Sequence, residues 1–123
     1  MGMCISPNIF GPYFWTVIHI SCLTSNNKEG LGRFIETLPD IIPCLHCSEH
    51  LKENLKTLPF DPTDPFRWSV QLHNNVNRDL NKPVITYDDA LVYWNNKCIA
   101  KETTIDPVLI LVGILFGIGI VFR

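Results

Sequence analysis

The sequence predicts an all-α protein of five helical segments, the fifth short, followed by a C-terminal transmembrane helix. Three observations carry that expectation. Apolar residues recur at three- and four-residue spacing along most of the chain and nowhere alternate over any length, which is the helical period and not the strand period. Helix breakers fall between the periodic segments, at Asn26-Asn27, Pro39, Pro43, Pro59, Pro62, Pro65 and Pro83. Near the C-terminus a run of fifteen apolar residues, Val108 to Phe122, follows Pro107 and is closed by Arg123.

The first helix is expected from about Phe10 to Leu23, with Phe14, Ile18 and Cys22 on one side and Trp15 and His19 four apart beside them. A second runs from about Lys28 to Leu38 on the stripe Leu31, Phe34, Ile35 and Leu38. Pro39 and Pro43 then bound a turn that delivers Cys44 to a third helix, about Cys44 to Thr57, on which Cys44, Cys47, His50 and Leu51 share a face. Asp64 is the expected N-cap of a fourth helix, Pro65 to Leu80, whose repeat Val70, His73, Asn74, Asn77 and Leu80 places polar groups inside the apolar stripe. Buried polar groups need partners, so this face is expected to meet a ligand. Thr86 and Asp89 form a capping-box pattern that opens the fifth helix, which is read to about Cys98 with Ala90, Trp94 and Lys97 on one side.

At 123 residues the chain has room for one ordinary domain and an appendage. Residues 1–100 are read as the domain, 101–107 as a linker and 108–122 as the membrane anchor. At helical rise the apolar run spans roughly 23 Å against a hydrocarbon core of about 30 Å. It is short for a span, and a buried core helix is the alternative. A helix apolar on every face has little room in so small a core, and Gly113, Gly117 and Gly119 suit intramembrane packing. The start, Met1-Gly2-Met3-Cys4-Ile5-Ser6, fits an N-myristoylation pattern with Cys4 placed for palmitoylation, or leaves Cys4 a free or shuttle thiol. With no export signal, the anchor puts the domain on the cytosolic side of a single-pass membrane protein.

Ten basic and twelve acidic residues give a formal charge of −2 with no basic block, which argues against nucleic acid as a partner. Five cysteines, an odd number without a secretory leader, argue against a secreted disulfide scaffold. A Cys-x-x-Cys pair in such a chain is catalytic or metal-binding more often than structural. That pair is Cys44-Leu45-His46-Cys47, between Pro43 and the start of a helix. Helix-terminal N–H groups lower thiol pKa and favour the thiolate. A zinc site built on Cys44, Cys47 and His46 or His50 lacks a second ligand pair, and a thioredoxin-like site lacks its βαβ context. A redox pair facing a flavin needs an aromatic and polar cradle, and the other helices offer one.

The set Phe10-Gly11-Pro12-Tyr13-Phe14-Trp15 with His19, then Cys44-Leu45-His46-Cys47 with His50, then His73-Asn74-Asn75-Val76-Asn77-Arg78-Asp79-Leu80-Asn81-Lys82, then Trp94, resembles the Erv/ALR family of FAD-linked sulfhydryl oxidases over about residues 10 to 98. The resemblance implies a four-helix bundle with a short fifth helix, usually dimeric, that holds FAD beside the Cys-x-x-Cys. Carried across, Trp15 and His19 belong to the flavin side, His50, His73, Asn74, Asn77, Lys82 and Trp94 hold the adenine and phosphates, and Gly11 and Val76 are further cofactor-binding positions. The resemblance makes Cys47 the thiol against the isoalloxazine and Cys44 the one that exchanges with protein thiol substrates. It implies that dioxygen reoxidises the flavin to give hydrogen peroxide, that the net product is a protein disulfide, and that no metal is needed. A helical membrane protein without turnover, serving assembly, is the alternative. Many cellular members carry a C-x16-C staple, whose positions are Val70 and Tyr87 in this chain. Its lack resembles the short oxidases of large cytoplasmic DNA viruses, which points to a virion membrane or host cytoplasm. Of the other thiols, Cys22 on an apolar stripe reads as inert and Cys98 as a candidate relay.

Overall fold

A proline at the start of a helix, a short polar residue before it and a carboxylate or hydroxyl cap recur through the chain, and they set where its helices begin. The computed structural model describes residues 5–102. Gly2, Cys4 and the run 108–122 lie outside the described residues, as do the lipidation and anchor expectations. Within them are five α-helices and no strand: α1 Pro7–Thr24, α2 Lys28–Ile41, α3 Leu45–Thr57, α4 Pro65–Asp79 and α5 Tyr87–Glu102. None of these is long and apolar enough to cross a membrane.

Helix α1 starts three residues ahead of Phe10, because Ser6 caps it, accepting the Asn8 N–H at 3.3 Å, and Pro7 occupies the first helical position. Helix α2 corrects the expected end at Leu38. Pro39 lies inside it, buried, and Ile42 N–H still closes on the Leu38 carbonyl at 3.1 Å. A proline in the last turn forfeits one ladder bond without stopping the chain. The Pro39 carbonyl is taken instead by the buried Ser48 hydroxyl of α3 at 2.5 Å. The turn into α3 is therefore only Ile42-Pro43, with Cys44 N–H bonded to the Ile42 carbonyl at 2.8 Å.

Helix α4 forms where expected, with Asp64 accepting the Arg67 N–H at 3.0 Å, but its buried face differs from the expected stripe. Leu80 is 54% exposed, and the residues facing inward include Phe66, Trp68, Ser69, Val70, Leu72 and Asn74. Trp68 is the reason. Its indole sits between α1, α2 and α3 residues of one core cluster formed by Ile18, Cys22, Leu31, Ile35, Leu38, Leu51 and Leu72, and so sets the rotation of α4. The end of α4 is a Schellman motif: Asn81 adopts φ 55°, its N–H reaches the Arg78 carbonyl at 3.1 Å, and Lys82 N–H reaches the Asn77 carbonyl at 2.7 Å. Asparagine is the non-glycine residue best suited to that left-handed position.

The fifth helix is not short. It has 16 residues against 13 in α3 and 15 in α4, since nothing from Tyr87 to Glu102 is proline or glycine. Thr86 opens it as expected, accepting the Asp89 N–H at 3.2 Å and donating its hydroxyl to Asp89 at 2.9 Å. A second apolar cluster, Phe66, Val70 and Ala90 with Tyr87, Leu91 and Trp94 packed on it, joins α5 to α4. Val70 and Tyr87, the two positions of the missing staple, both belong to it, and the Arg67 guanidinium lies 3.8 Å over the Tyr87 ring. Apolar packing and a cation–π contact thus stand where the cross-link would be.

Candidate functional site

The site grows from α1 and α4, which pack on each other more extensively than any other pair of helices. Trp15 and His19 sit one turn apart on α1, and His73 enters from α4. The Trp15 and His73 rings are parallel, 5° between planes and 3.9 Å between centroids. His19 lies 5.1 Å from His73 and 5.1 Å from Trp94 of α5, so four rings from three helices form one continuous group. Gly11, one turn before Trp15, has open space where a Cβ would be. Such a group offers stacking faces to a planar ligand.

A hydrogen-bond chain fixes the two imidazoles. The Ser69 hydroxyl lies 2.7 Å from the Phe66 carbonyl and 2.9 Å from His19 Nδ1, and His19 Nε2 lies 2.8 Å from His73 Nδ1. Both rings are held uncharged. Burial, then the neighbouring His73, lowers the His19 pKa to about 3, and burial, then the nearby Lys82 ammonium, lowers that of His73 to about 4. Lys82 follows Asn81 in the Schellman turn, at the end of the helix that carries His73. The buried amide of Asn74 donates to the Ile85 carbonyl at 2.7 Å and accepts the Ile85 N–H at 3.0 Å, locking the α4–α5 connection.

These neutral histidines make a stability prediction. The unfolded chain binds a proton on each ring below the ordinary value of 6.5, whereas the folded chain resists until about 4 and about 3. Stability is therefore full above that ordinary value and falls as pH drops below it. Fully buried His19 costs about 1.4 kcal/mol per pH unit in that window, and half-buried, solvent-screened His73 a smaller amount. Urea unfolding between about pH 6 and about pH 4 measures this slope, and a flat free energy would contradict it.

At the start of α3, Cys44 is the N-cap in extended backbone, and its Sγ accepts the Cys47 N–H at 3.3 Å. The first-turn N–H thus points at sulfur, the arrangement that favours a thiolate. Cys44 is only 6% exposed while Cys47 is half-buried. The backbone just before Cys44 is tied to the N-terminal segment by Ile5 N–H to the Pro43 carbonyl at 3.0 Å. His50 is exposed on the outer face of α3, its ring 4.3 Å from that of His46. Val76 and Asn77 are half-buried on α4. Burial pushes the Cys22 thiol up to about 12, which leaves it protonated and inert at neutral pH, as its place on the apolar stripe suggests. Cys98 is half-buried on α5. Among the described residues no group of three or more His, Cys, Asp or Glu is placed to hold a metal ion.

Two residues that shape the site have no role assigned from the sequence, Ser69 and Asn81. Ser69 precedes His73 by four positions, which places both on one helix face, and Asn81 is the left-handed residue that turns Lys82 back. The first signal was legible as a polar residue at helical spacing; the second was the asparagine before the lysine.

The bundle and its site define a class: a helical redox protein that carries a helix-capping dithiol pair and an aromatic, two-imidazole cradle. The sequence profile of the Erv1 / Alr family matches residues 12–97, and the chain belongs to that family. Among its relatives, the putative FAD-linked sulfhydryl oxidase 096R of Invertebrate iridescent virus 3 is 29% identical over 92 residues, 66% of this chain and 62% of that protein. The putative FAD-linked sulfhydryl oxidase 088R of Frog virus 3 is 31% identical over 101 residues, 72% and 67% of the two chains. The FAD-linked sulfhydryl oxidase of African swine fever virus (isolate Tick/Malawi/Lil 20-1/1983) is 30% identical over 91 residues, 65% and 75%.

Proposed function

We propose that the chain is an FAD-dependent sulfhydryl oxidase that makes disulfides in protein substrates and passes the electrons to dioxygen. The observation that carries the reading is the parallel 3.9 Å stack of Trp15 on His73, extended through His19 to Trp94, in a family member that also bears Cys44 and Cys47 at a helix start. The names of the viral relatives support it.

The residues present fit FAD. An adenine or isoalloxazine ring needs flat aromatic faces and room for close approach, which Trp15, His73, Trp94 and the open space over Gly11 offer. A pyrophosphate needs a cation, and Lys82, held in the turn that ends the helix carrying His73, is the candidate. When bound, FAD supplies the two-electron acceptor that side chains lack, and dioxygen takes the electrons on to become hydrogen peroxide.

The protein's own chemistry is thiol–disulfide exchange. A substrate thiolate attacks Cys44 Sγ of the oxidised pair, the S–S bond breaks, and Cys47 leaves as a thiolate. A second substrate thiolate then attacks the mixed disulfide at the substrate sulfur and releases Cys44, so the substrate leaves oxidised by two electrons and the pair is reduced. The α3 N–H groups stabilise the charge that appears on each leaving sulfur. The burial of Cys44 means the substrate must reach its sulfur at the helix start. Purified protein carrying a flavin spectrum and consuming oxygen with dithiothreitol is the result that tests this reading; colourless protein that stays inactive when FAD is added contradicts it.

Residues 108–122 serve, in the same proposal, as a single membrane anchor with the domain on the cytosolic side, and the active form is a homodimer. The apolarity of that run on every face and its glycines support the anchor. Removing residues 107–123 is expected to shift the protein from the membrane pellet to the supernatant with oxygen uptake unchanged. A truncated protein that still pellets would move the anchor elsewhere.

A further inference from the structure

The hydroxyl of Ser69 has one proton and two neighbours, the Phe66 carbonyl at 2.7 Å and His19 Nδ1 at 2.9 Å. A carbonyl only accepts, and two oxygens at that distance without a proton between them repel, so the hydroxyl donates to Phe66. Its oxygen must then accept from His19, which puts the His19 proton on Nδ1. A neutral imidazole has one N–H, so His19 Nε2 is an acceptor and His73 Nδ1, 2.8 Å away, donates to it. The His73 proton is thereby placed on Nδ1, and its Nε2 is a bare acceptor. Ser69 is 0% exposed and His19 2%, so water does not compete for these positions.

We infer that Ser69 is a positioning residue for the ligand-binding histidine: it sets, through His19, the tautomer in which His73 Nε2 accepts a hydrogen bond from a hydroxyl or amine N–H of the bound dinucleotide. The inference deepens the FAD reading and rests on it for the identity of the ligand. It assigns to a buried serine, outside every residue expected to touch the cofactor, control over whether the site offers an acceptor or a donor. Without the serine oxygen, His19 Nδ1–H has no acceptor, and the favourable rearrangement moves its proton to Nε2. That proton then faces His73 Nδ1, which becomes the acceptor, and His73 Nε2 becomes a donor aimed at a donor.

The test is made on the full chain stripped of flavin, at neutral pH, by imidazole ¹⁵N shifts that distinguish protonated from bare ring nitrogens. Wild type is expected to show His19 and His73 both protonated at Nδ1. Ser69→Ala, which removes one oxygen, is expected to reverse both rings and to weaken FAD binding about tenfold, the loss of one hydrogen bond. Ser69→Thr, which keeps the hydroxyl, is expected to restore the wild-type tautomers and the affinity. A merely structural serine would change stability and leave the tautomers alone. Retention of Nδ1–H on His73 in Ser69→Ala overturns the inference, as does reversal with unchanged FAD affinity. A wild-type chain that takes up no FAD overturns the cofactor reading instead, and the tautomer comparison still decides the relay.

Discussion

Oxygen consumption with dithiothreitol is expected to fall by roughly a thousandfold or more in both Cys44→Ser and Cys47→Ser, with FAD still bound. The magnitude follows from chemistry: a hydroxyl at these positions neither exchanges with a disulfide nor leaves as a stabilised anion at neutral pH. The two variants separate by what they trap. Cys47→Ser leaves Cys44 at the helix cap, where the first-turn N–H that reaches its sulfur at 3.3 Å favours a thiolate able to form a stable mixed disulfide with a substrate. Cys44→Ser keeps a capping hydroxyl but leaves the half-buried Cys47 without a thiol to pair with. Oxygen uptake near the wild-type rate in either variant would show that the pair is not the redox centre.

The largest expected effect on folding is at Trp68. Its side chain is 1% exposed, its Nε1–H donates to the Leu58 carbonyl at 3.1 Å, and Phe60 meets it edge-on at 5.1 Å. Trp68→Ala removes the largest fully buried side chain and orphans a carbonyl, at a cost of about 3–5 kcal/mol. A domain of this size holds about 5–15 kcal/mol in total, so the variant is expected to unfold tens of degrees lower or to fail to accumulate. Trp15→Ala is the informative contrast. That ring stacks on His73 at the edge of the core, so its loss is expected to release flavin while leaving most of the stability. Equal thermal shifts in the two variants would contradict this division between core and cradle.

What the sequence could reveal follows from the range of the forces involved. Helix starts are local, and the Asp64-Pro65 and Thr86-x-x-Asp89 signals place them correctly. Helix ends are less so: Pro39 looks like a terminator, and only the Ser48 hydroxyl that accepts no backbone duty of its own in α3 and bonds the Pro39 carbonyl shows how α2 continues. The face of α4 is legible only in part: Val70 and Asn74 of the expected stripe are buried, but Leu80 is exposed, and the buried Trp68 and Leu72 lie on an overlapping stripe that the same spacing admits. His19 and His73 were each legible as site candidates, but their contact joins residues 54 apart, and the proton order within it depends on Ser69, which local patterning marks only as a small polar residue. Asn74 shows the opposite case. Its place in the family-like run suggests ligand contact, and nothing local announces that its amide also bonds Ile85 at both ends and orders the loop that leads to the helix carrying Trp94.

The most direct measurement is the visible spectrum of the purified full chain during anaerobic titration with dithiothreitol, followed by admission of air. The expected result is a flavin band that bleaches as the Cys44–Cys47 pair delivers electrons and returns when oxygen enters. A bound flavin that dithiothreitol leaves unbleached, or a chain without a flavin band after incubation with FAD, would contradict it.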